Sequence, residues 1–274
     1  MSMSMPTISL AAFADAAFTP QQKAAFEAFV AAVEAKGRAY IEIIFASLPR
    51  KMGKGALGET VVRLGAGTID LAAFRATDLA AALLLDRVEA AERDSLSLKL
   101  YSQGDPEERR MILKALTVLD DSAAALPLLE TAHRTNDMTI FESAYADSDW
   151  AARVLPADLF NNAVLKCAFN DVPLARLLGA AGRATPALSR MLLDFMSERE
   201  AAQRPCWAGS LELAAHAPCP GVRARILGDL WHGSDARRFG AVRAAHVLGT
   251  PEMRAEIELR RPFEKHGPTL ALMA

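Results

Sequence analysis

The sequence predicts an all-α fold of stacked helical hairpins, similar to the HEAT and armadillo solenoids, formed as one domain over residues 1–274. Three observations carry that expectation. Hydrophobic residues make up 51% of the chain but aromatics only 7%, and Ala and Leu, which dominate the apolar half, lose least on entering a helix. Proline then recurs where helices begin, behind a capping residue, as Thr19-Pro20, Asp105-Pro106-Glu107-Glu108, Thr185-Pro186 and Thr250-Pro251-Glu252. Finally, prolines 156, 186, 220 and 251 are spaced by 30, 34 and 31 residues, the length of a two-helix repeat.

The helices follow in order. After Pro106, the apolar residues Met111, Ile112, Ala115, Leu116 and Leu119 fall on one side, with Glu107, Glu108, Arg109, Arg110 and Lys114 on the other. Between Pro156 and Phe169 apolar side chains surround the axis, so this helix is expected at the centre. Leu188, Met191, Leu192, Phe195 and Met196 make the next stripe, and Ser234-Asp235 opens a helix toward Leu248. One stretch departs from the pattern. Tyr40-Ile-Glu-Ile-Ile-Phe45 favours a strand on propensity, and Arg50 to Gly58 reads as a basic, glycine-rich loop.

Charge and cysteine content bound the function. A net charge of −2 gives no field that would draw the chain to nucleic acid, and no apolar run approaches the roughly 20 residues that span a bilayer. Three cysteines, an odd and sparse set, fit thiols in a reducing compartment, and no secretory signal is recognisable, so a cytoplasmic protein is expected. Gly53-Lys54-Gly55-Ala56-Leu57-Gly58 has the letters of a dinucleotide loop, with Asp70 or Asp78 as the ribose acid. Glu59 to Leu64 is a poor opening for the helix such a loop needs, and a bare anion loop of Arg50, Lys51 and Lys54 fits better. Cys206, His216, Cys219 and His232 are zinc-competent but irregularly spaced, so no metal and no cofactor are expected.

Charges on otherwise apolar helices are more telling. Arg199 falls about 20° from Leu188 around the axis, so it continues the buried stripe, where it either reaches carbonyls at the helix end or contacts an anion. Lys166 shares a nearly apolar helix with Asn161 and calls for a carboxylate such as Glu142 or for a wet pocket.

From Arg134 to Arg204 the chain resembles the EboA family. The resemblance rests on Arg134-Thr135-Asn136, Phe141-Glu142-Ser143, Asn161 with Leu165-Lys166-Cys167-Ala168-Phe169, Val172-Pro173-Leu174, Leu178-Gly179, Arg183, and Asp194 with Ser197-Glu198-Arg199 and Arg204. Phe160 stands where the family tends to have Trp, Ala184-Thr185-Pro186 replaces R-x-N-P, and Gln203 interrupts the family's A-G-R. The resemblance implies a bacterial protein of the ebo gene cluster that takes part in traffic or export of a specialised metabolite or its precursor. Its partners would then be that small molecule or other products of the cluster, a membrane prenyltransferase among them. The resemblance carries over no catalytic residue. It makes 134–204 the family core and 205–274 a helical extension.

The functional expectation is a non-enzymatic helical-repeat protein that binds a metabolite or partner proteins. Its candidate binding residues are Arg134, Asn136, Glu142, Asn161, Lys166, Arg183, Glu198 and Arg199. The alternatives are an enzyme acting on a small anionic metabolite through Lys166, Glu142 and Arg199, and a purely structural adaptor.

Overall fold

A computed structural model of the chain describes residues 5–119 and 123–274. It forms two compact units, Met1–Leu155 and Pro156–Ala274. Both are mainly helical. No helix among the described residues is long and apolar enough to cross a membrane.

The first unit runs β1 (Thr7–Ile8), α1 (Leu10–Ala17), α2 (Pro20–Lys36), α3 (Tyr40–Phe45), α4 (Leu48–Met52), β2 (Val61–Leu64), β3 (Gly67–Asp70), α5 (Ala76–Asp86), α6 (Ala90–Gln103), α7 (Pro106–Leu116), α8 (Ala125–His133), α9 (Met138–Tyr145) and α10 (Trp150–Val154). Its centre is α5, whose run from Leu79 to Leu85 is buried on every side and packs on α1, α4 and α7. Asp78 serves as the N3 acid of the α5 capping box, accepting the Arg75 N–H at 2.9 Å, and is also gripped by both terminal nitrogens of Arg110 at 3.1 and 2.5 Å. Burial pushes its carboxyl upward, and the Arg110 charge acts against that push.

Two expectations are corrected in this unit. The all-α reading misses a small sheet in the order β1-β2-β3, with β1 parallel and β3 antiparallel to β2. Its hairpin needs glycine, because a Cβ on Gly65 or Gly67 would lie 2.2 or 2.1 Å from the carbonyl oxygens of Val118 and Thr117. The expected strand at Tyr40–Phe45 is instead helix α3. Ile41, Ile44, Phe45, Leu48 and Met52 recur at helical spacing and are all buried, while Ile43, which a strand would place on the same face as Ile41, is 62% exposed. Periodicity outweighs propensity here.

The second unit runs α11 (Ala157–Phe169), α12 (Pro186–Ala201), α13 (Ser210–His216), α14 (Val222–Leu230), α15 (Asp235–Leu248), α16 (Pro251–Arg260) and α17 (Gly267–Leu272). The prolines mark these elements as expected: Pro156 caps α11, Thr185 and Thr250 cap α12 and α16 ahead of Pro186 and Pro251, and Pro220 stands two residues before α14. Helix α15 packs on α13, α14, α16 and α17, and α12 packs on α11 and α13. The Ser189 hydroxyl staples α12 to the end of α13, its one O–H shared between the carbonyls of Ala214 and Ala217 at 3.0 and 2.6 Å. Helix α11 buries one face, including Phe160, Val164 and Cys167, but leaves Phe169 60% exposed, so it is less enclosed than its composition implies.

The C-terminal end of this unit is locked by Glu264. Its buried carboxylate accepts Nε and Nη2 of Arg238 at 2.7 and 2.9 Å and the backbone N–H groups of Lys265 and His266 at 2.9 Å. The Arg238 hydrogen bonds, helped by those backbone N–H groups and opposed by burial, hold its pKa down to about 2. A carboxylate whose folded pKa lies below its unfolded value of about 4.3 stabilises the fold fully above that value and loses this contribution as pH falls toward 2. The shift corresponds to roughly 3 kcal/mol at most. Chemical denaturation of wild type and Glu264→Gln between pH 5 and 2 is expected to give a steeper loss of stability in wild type; parallel curves would remove the assigned role.

Candidate functional site

The site is built where α12 ends. Helix α12 closes in a Schellman turn: the Gln203 N–H donates to the Glu200 carbonyl at 2.9 Å and the Arg204 N–H to the Arg199 carbonyl at 2.8 Å. The geometry places Gln203 in the left-handed region at φ 55°. Glycine adopts that conformation without penalty, whereas a glutamine there is held in it by the turn. Arg199 also donates from Nε to the Pro205 carbonyl at 2.9 Å, with its guanidinium 5.8 Å from the Phe195 ring. One arginine thus fixes both Arg204 and Pro205. Beyond them Trp207, 4% exposed, donates its indole N–H to the Val172 carbonyl at 2.8 Å. Gly209 lies so near that a Cβ there would meet Leu174 at 2.7 Å.

Against this turn stands a closed ring of four charges. Glu200 comes from the last turn of α12, Arg225 and Asp229 from one face of α14, and Arg237 from the first turn of α15. Arg225 donates to Glu200 at 3.0 Å and to Asp229 at 2.9 Å; Arg237 donates to Asp229 at 2.9 Å and lies 3.2 Å from Glu200. Each guanidinium therefore bridges both carboxylates. Asp229 is 2% exposed, and two arginines offset the cost of burying its charge. The Arg225 hydrogen bond holds the Glu200 carboxyl below its usual range against the effect of burial, with the Arg225 and Arg237 charges adding to it. Burial works to lower the Arg225 pKa, but the bonds to Glu200 and Asp229 leave it raised.

Between the turn and the ring lies a cleft of about 210 Å³. Its apolar wall is Met196, Pro205, Trp207 and Leu211, and Arg204, Cys206 and the ring residues Glu200, Asp229 and Arg237 supply the polar side. The Cys206 thiol lies 3.6 Å from the Met196 carbonyl and 3.9 Å from Glu200. Burial, and then the Glu200 charge, push its pKa up, so the neutral thiol is favoured. A larger cleft of about 440 Å³ in the first unit is walled by Val30, Val33, Ile41, Leu84 and Val88. Its arginines are engaged, Arg38 with Glu92 and Arg87 with the Leu83 carbonyl, so it brings less polar chemistry together than the site at the end of α12.

The residues singled out from the sequence divide between the units. In the first, Arg134 follows α8, Asn136 is exposed, and Glu142 lies half-buried on α9. In the second, Asn161 is buried on α11, Lys166 is half-buried with a pKa lowered by burial, and Arg183 stacks 4.8 Å from the Phe160 ring. Glu198 is exposed. Arg183 precedes α12 and Arg199 stands in its last turn, and a helix of 16 residues is about 24 Å long, so these two serve opposite ends. Arg50 and Lys51 are exposed in the last turn of α4, not in a loop, and Lys54 lies 3.9 Å from Glu107.

The dinucleotide reading fails on order and chemistry. Gly53 to Gly58 follows a helix and precedes a strand, Asp78 is consumed by Arg110, and Asp70 caps a 3-10 turn through the Ala72 N–H. Among the described residues no three His, Cys, Asp or Glu side chains group as metal ligands.

The sequence reading missed Glu200, Arg225, Asp229 and Arg237. A usable signal existed: Asp229 lies seven residues from Val222, about 20° away around α14, on the stripe that Ile226 and Leu230 continue. That is the criterion that picked out Arg199.

A family model described as "Metabolite traffic protein EboA" matches residues 34–210, more than half of the chain. The match reaches past the turn at the end of α12 and stops before α14. No curated protein and no solved structure shows significant similarity to the chain.

Two outcomes follow in thermal or chemical denaturation. Gln203→Gly should stabilise the fold by ~0.5–1 kcal/mol by relieving the left-handed residue, and a destabilisation would contradict the turn described. Asp229→Ala should cost about 3 kcal/mol, because it leaves two bridging arginines facing a lost buried charge; a loss under ~0.5 kcal/mol would show that the ring contributes nothing.

Proposed function

The chain belongs to the EboA family, and from that premise we propose that it is a non-enzymatic protein that binds a small metabolite in the cleft at the end of α12 during the metabolite's traffic. The observation that carries this reading is the use made of Arg199. A residue of the family core spends both its carbonyl and its guanidinium on shaping the cleft wall. A cleft whose charged groups are largely bonded to one another is preorganised for binding and lacks an activated nucleophile, since burial favours the neutral Cys206 thiol.

The second unit is read as helical pairs α12/α13 and α14/α15 stacked in solenoid fashion, with α16 and α17 laid on the second pair. Packing of α13 on α15, α15 on α17 and α14 on α16 supports it. In this reading the protein works in the cytoplasm and hands its ligand to, or receives it from, other products of its gene cluster, the membrane prenyltransferase included. Asn161, Lys166, Arg183, Glu198 and Arg199 are then proposed to hold the helices of the second unit that frame the cleft, and Arg134, Asn136 and Glu142 remain proposed binding residues of the first unit. Arg50, Lys51 and Lys54 remain a proposed anion-binding surface. The enzymatic alternative has one favouring observation, the pKa of Lys166 lowered by burial.

Native mass spectrometry of the protein isolated from a host that carries the cluster discriminates these readings. The proposal expects a bound small molecule on wild type that is lost when Ala208→Phe fills the cleft. Protein partners with no small molecule would replace it with the adaptor reading. Conversion of the metabolite that disappears in a folded Lys166→Gln variant would replace it with the enzyme.

A further inference from the structure

Resting on the cleft at the end of α12 as the binding site, we propose that its ligand is a compact monoanionic carboxylic acid with an apolar body, its carboxylate held by Arg204. The charge balance of the site leads there. Glu200 and Asp229 are matched by Arg225 and Arg237 in a closed ring, so the four largely cancel at short range. Arg204 is the cation left over. It lines the cleft, its backbone is fixed by the bond to the Arg199 carbonyl, and its guanidinium makes no ion pair or hydrogen bond among the described residues. An uncommitted guanidinium at the rim of an apolar cleft is suited to a carboxylate, which accepts two parallel N–H bonds.

The same geometry limits the ligand's charge and size. A second negative charge, as on a phosphate monoester, would face Glu200 and Asp229 across a narrow space with a single arginine to meet it. The opposite face, made of Met196, Pro205, Trp207 and Leu211, offers no charged partner and favours an apolar or aromatic body. A volume of about 210 Å³ is below the roughly 300–1,000 Å³ of drug-sized sites. One ring with a short acidic tail fits that space.

Cys206 supplies the readout. It lines the cleft and is half-buried, whereas Cys167 and Cys219 are buried, so alkylation of the native protein by a neutral maleimide at alkaline pH, located by mass spectrometry, reports cleft occupancy. Three probes of one shape are compared: 3-phenylpropionate, 3-phenylpropionamide and 3-phenylpropylammonium. The proposal expects the acid to protect Cys206 at a concentration ~10-fold or more below the amide, as for a hydrogen bond to a charged group, with the ammonium weakest. Arg204→Gln, an exposed substitution whose folding is checked by thermal denaturation, should erase the preference for acid over amide, and Arg204→Lys should keep it. Equal protection by acid and amide in wild type, or a preference that survives Arg204→Gln, overturns the assignment of the carboxylate to Arg204 and leaves the cleft as a binding site. Protection by none of the three overturns the cleft and the ligand class together.

Discussion

The second unit depends on the burial of one carboxylate. Asp229 lies on the apolar stripe of α14, and a buried aspartate is tolerated only where cations and hydrogen bonds replace its lost hydration. Arg225, one turn earlier on the same helix, and Arg237, in the first turn of α15, meet that need. Both also require Glu200 to complete their geometry, so the end of α12, the end of α14 and the start of α15 converge on one point. The cleft is what remains between that point and the chain leaving α12.

This convergence gives the family residues of α12 a physical task. Arg199 holds the turn through its carbonyl and its Nε–H, and the turn sets where Arg204, Cys206 and Trp207 stand. The Val172-Pro173-Leu174 segment works at the same wall, receiving the Trp207 indole N–H and packing against Gly209. Elements far apart in sequence thereby shape one small space, and the left-handed residue at Gln203 shows the backbone conformation that shaping requires. Local strain of this kind is common where a backbone is held for a ligand.

Much of this fold was legible in the sequence because helices announce themselves locally. Thr19-Pro20, Asp105-Pro106, Thr185-Pro186 and Thr250-Pro251 all cap helices, since a side-chain oxygen and a preset φ act within one turn. Tyr40–Phe45 has the β-branched and aromatic content of a strand, but the spacing of Ile41, Ile44, Phe45, Leu48 and Met52 is helical, and burial of that one face decides the conformation. The small sheet escaped because two of its strands are four residues long and the third only two, and its hairpin is fixed by the non-local approach of Gly65 and Gly67 to the end of α7. At the site, Arg199 was visible through its angle to Leu188. Its partner is a carbonyl six residues away, and no pattern of side chains encodes that. Of the ring's contacts only Arg225–Asp229, four residues apart on α14, lies within one helix; the others join different helices across 8 to 37 positions, where no local pattern encodes them.

The claim that the four charges act as one unit is tested most directly by a double-mutant cycle on Glu200→Gln and Asp229→Asn, two carboxylates that meet only through the arginines between them. The account predicts that the two stability losses depart from additivity by about 1 kcal/mol or more, because each substitution changes both shared guanidiniums. Losses that add within ~0.3–0.5 kcal/mol would contradict it, since independent sites behave that way.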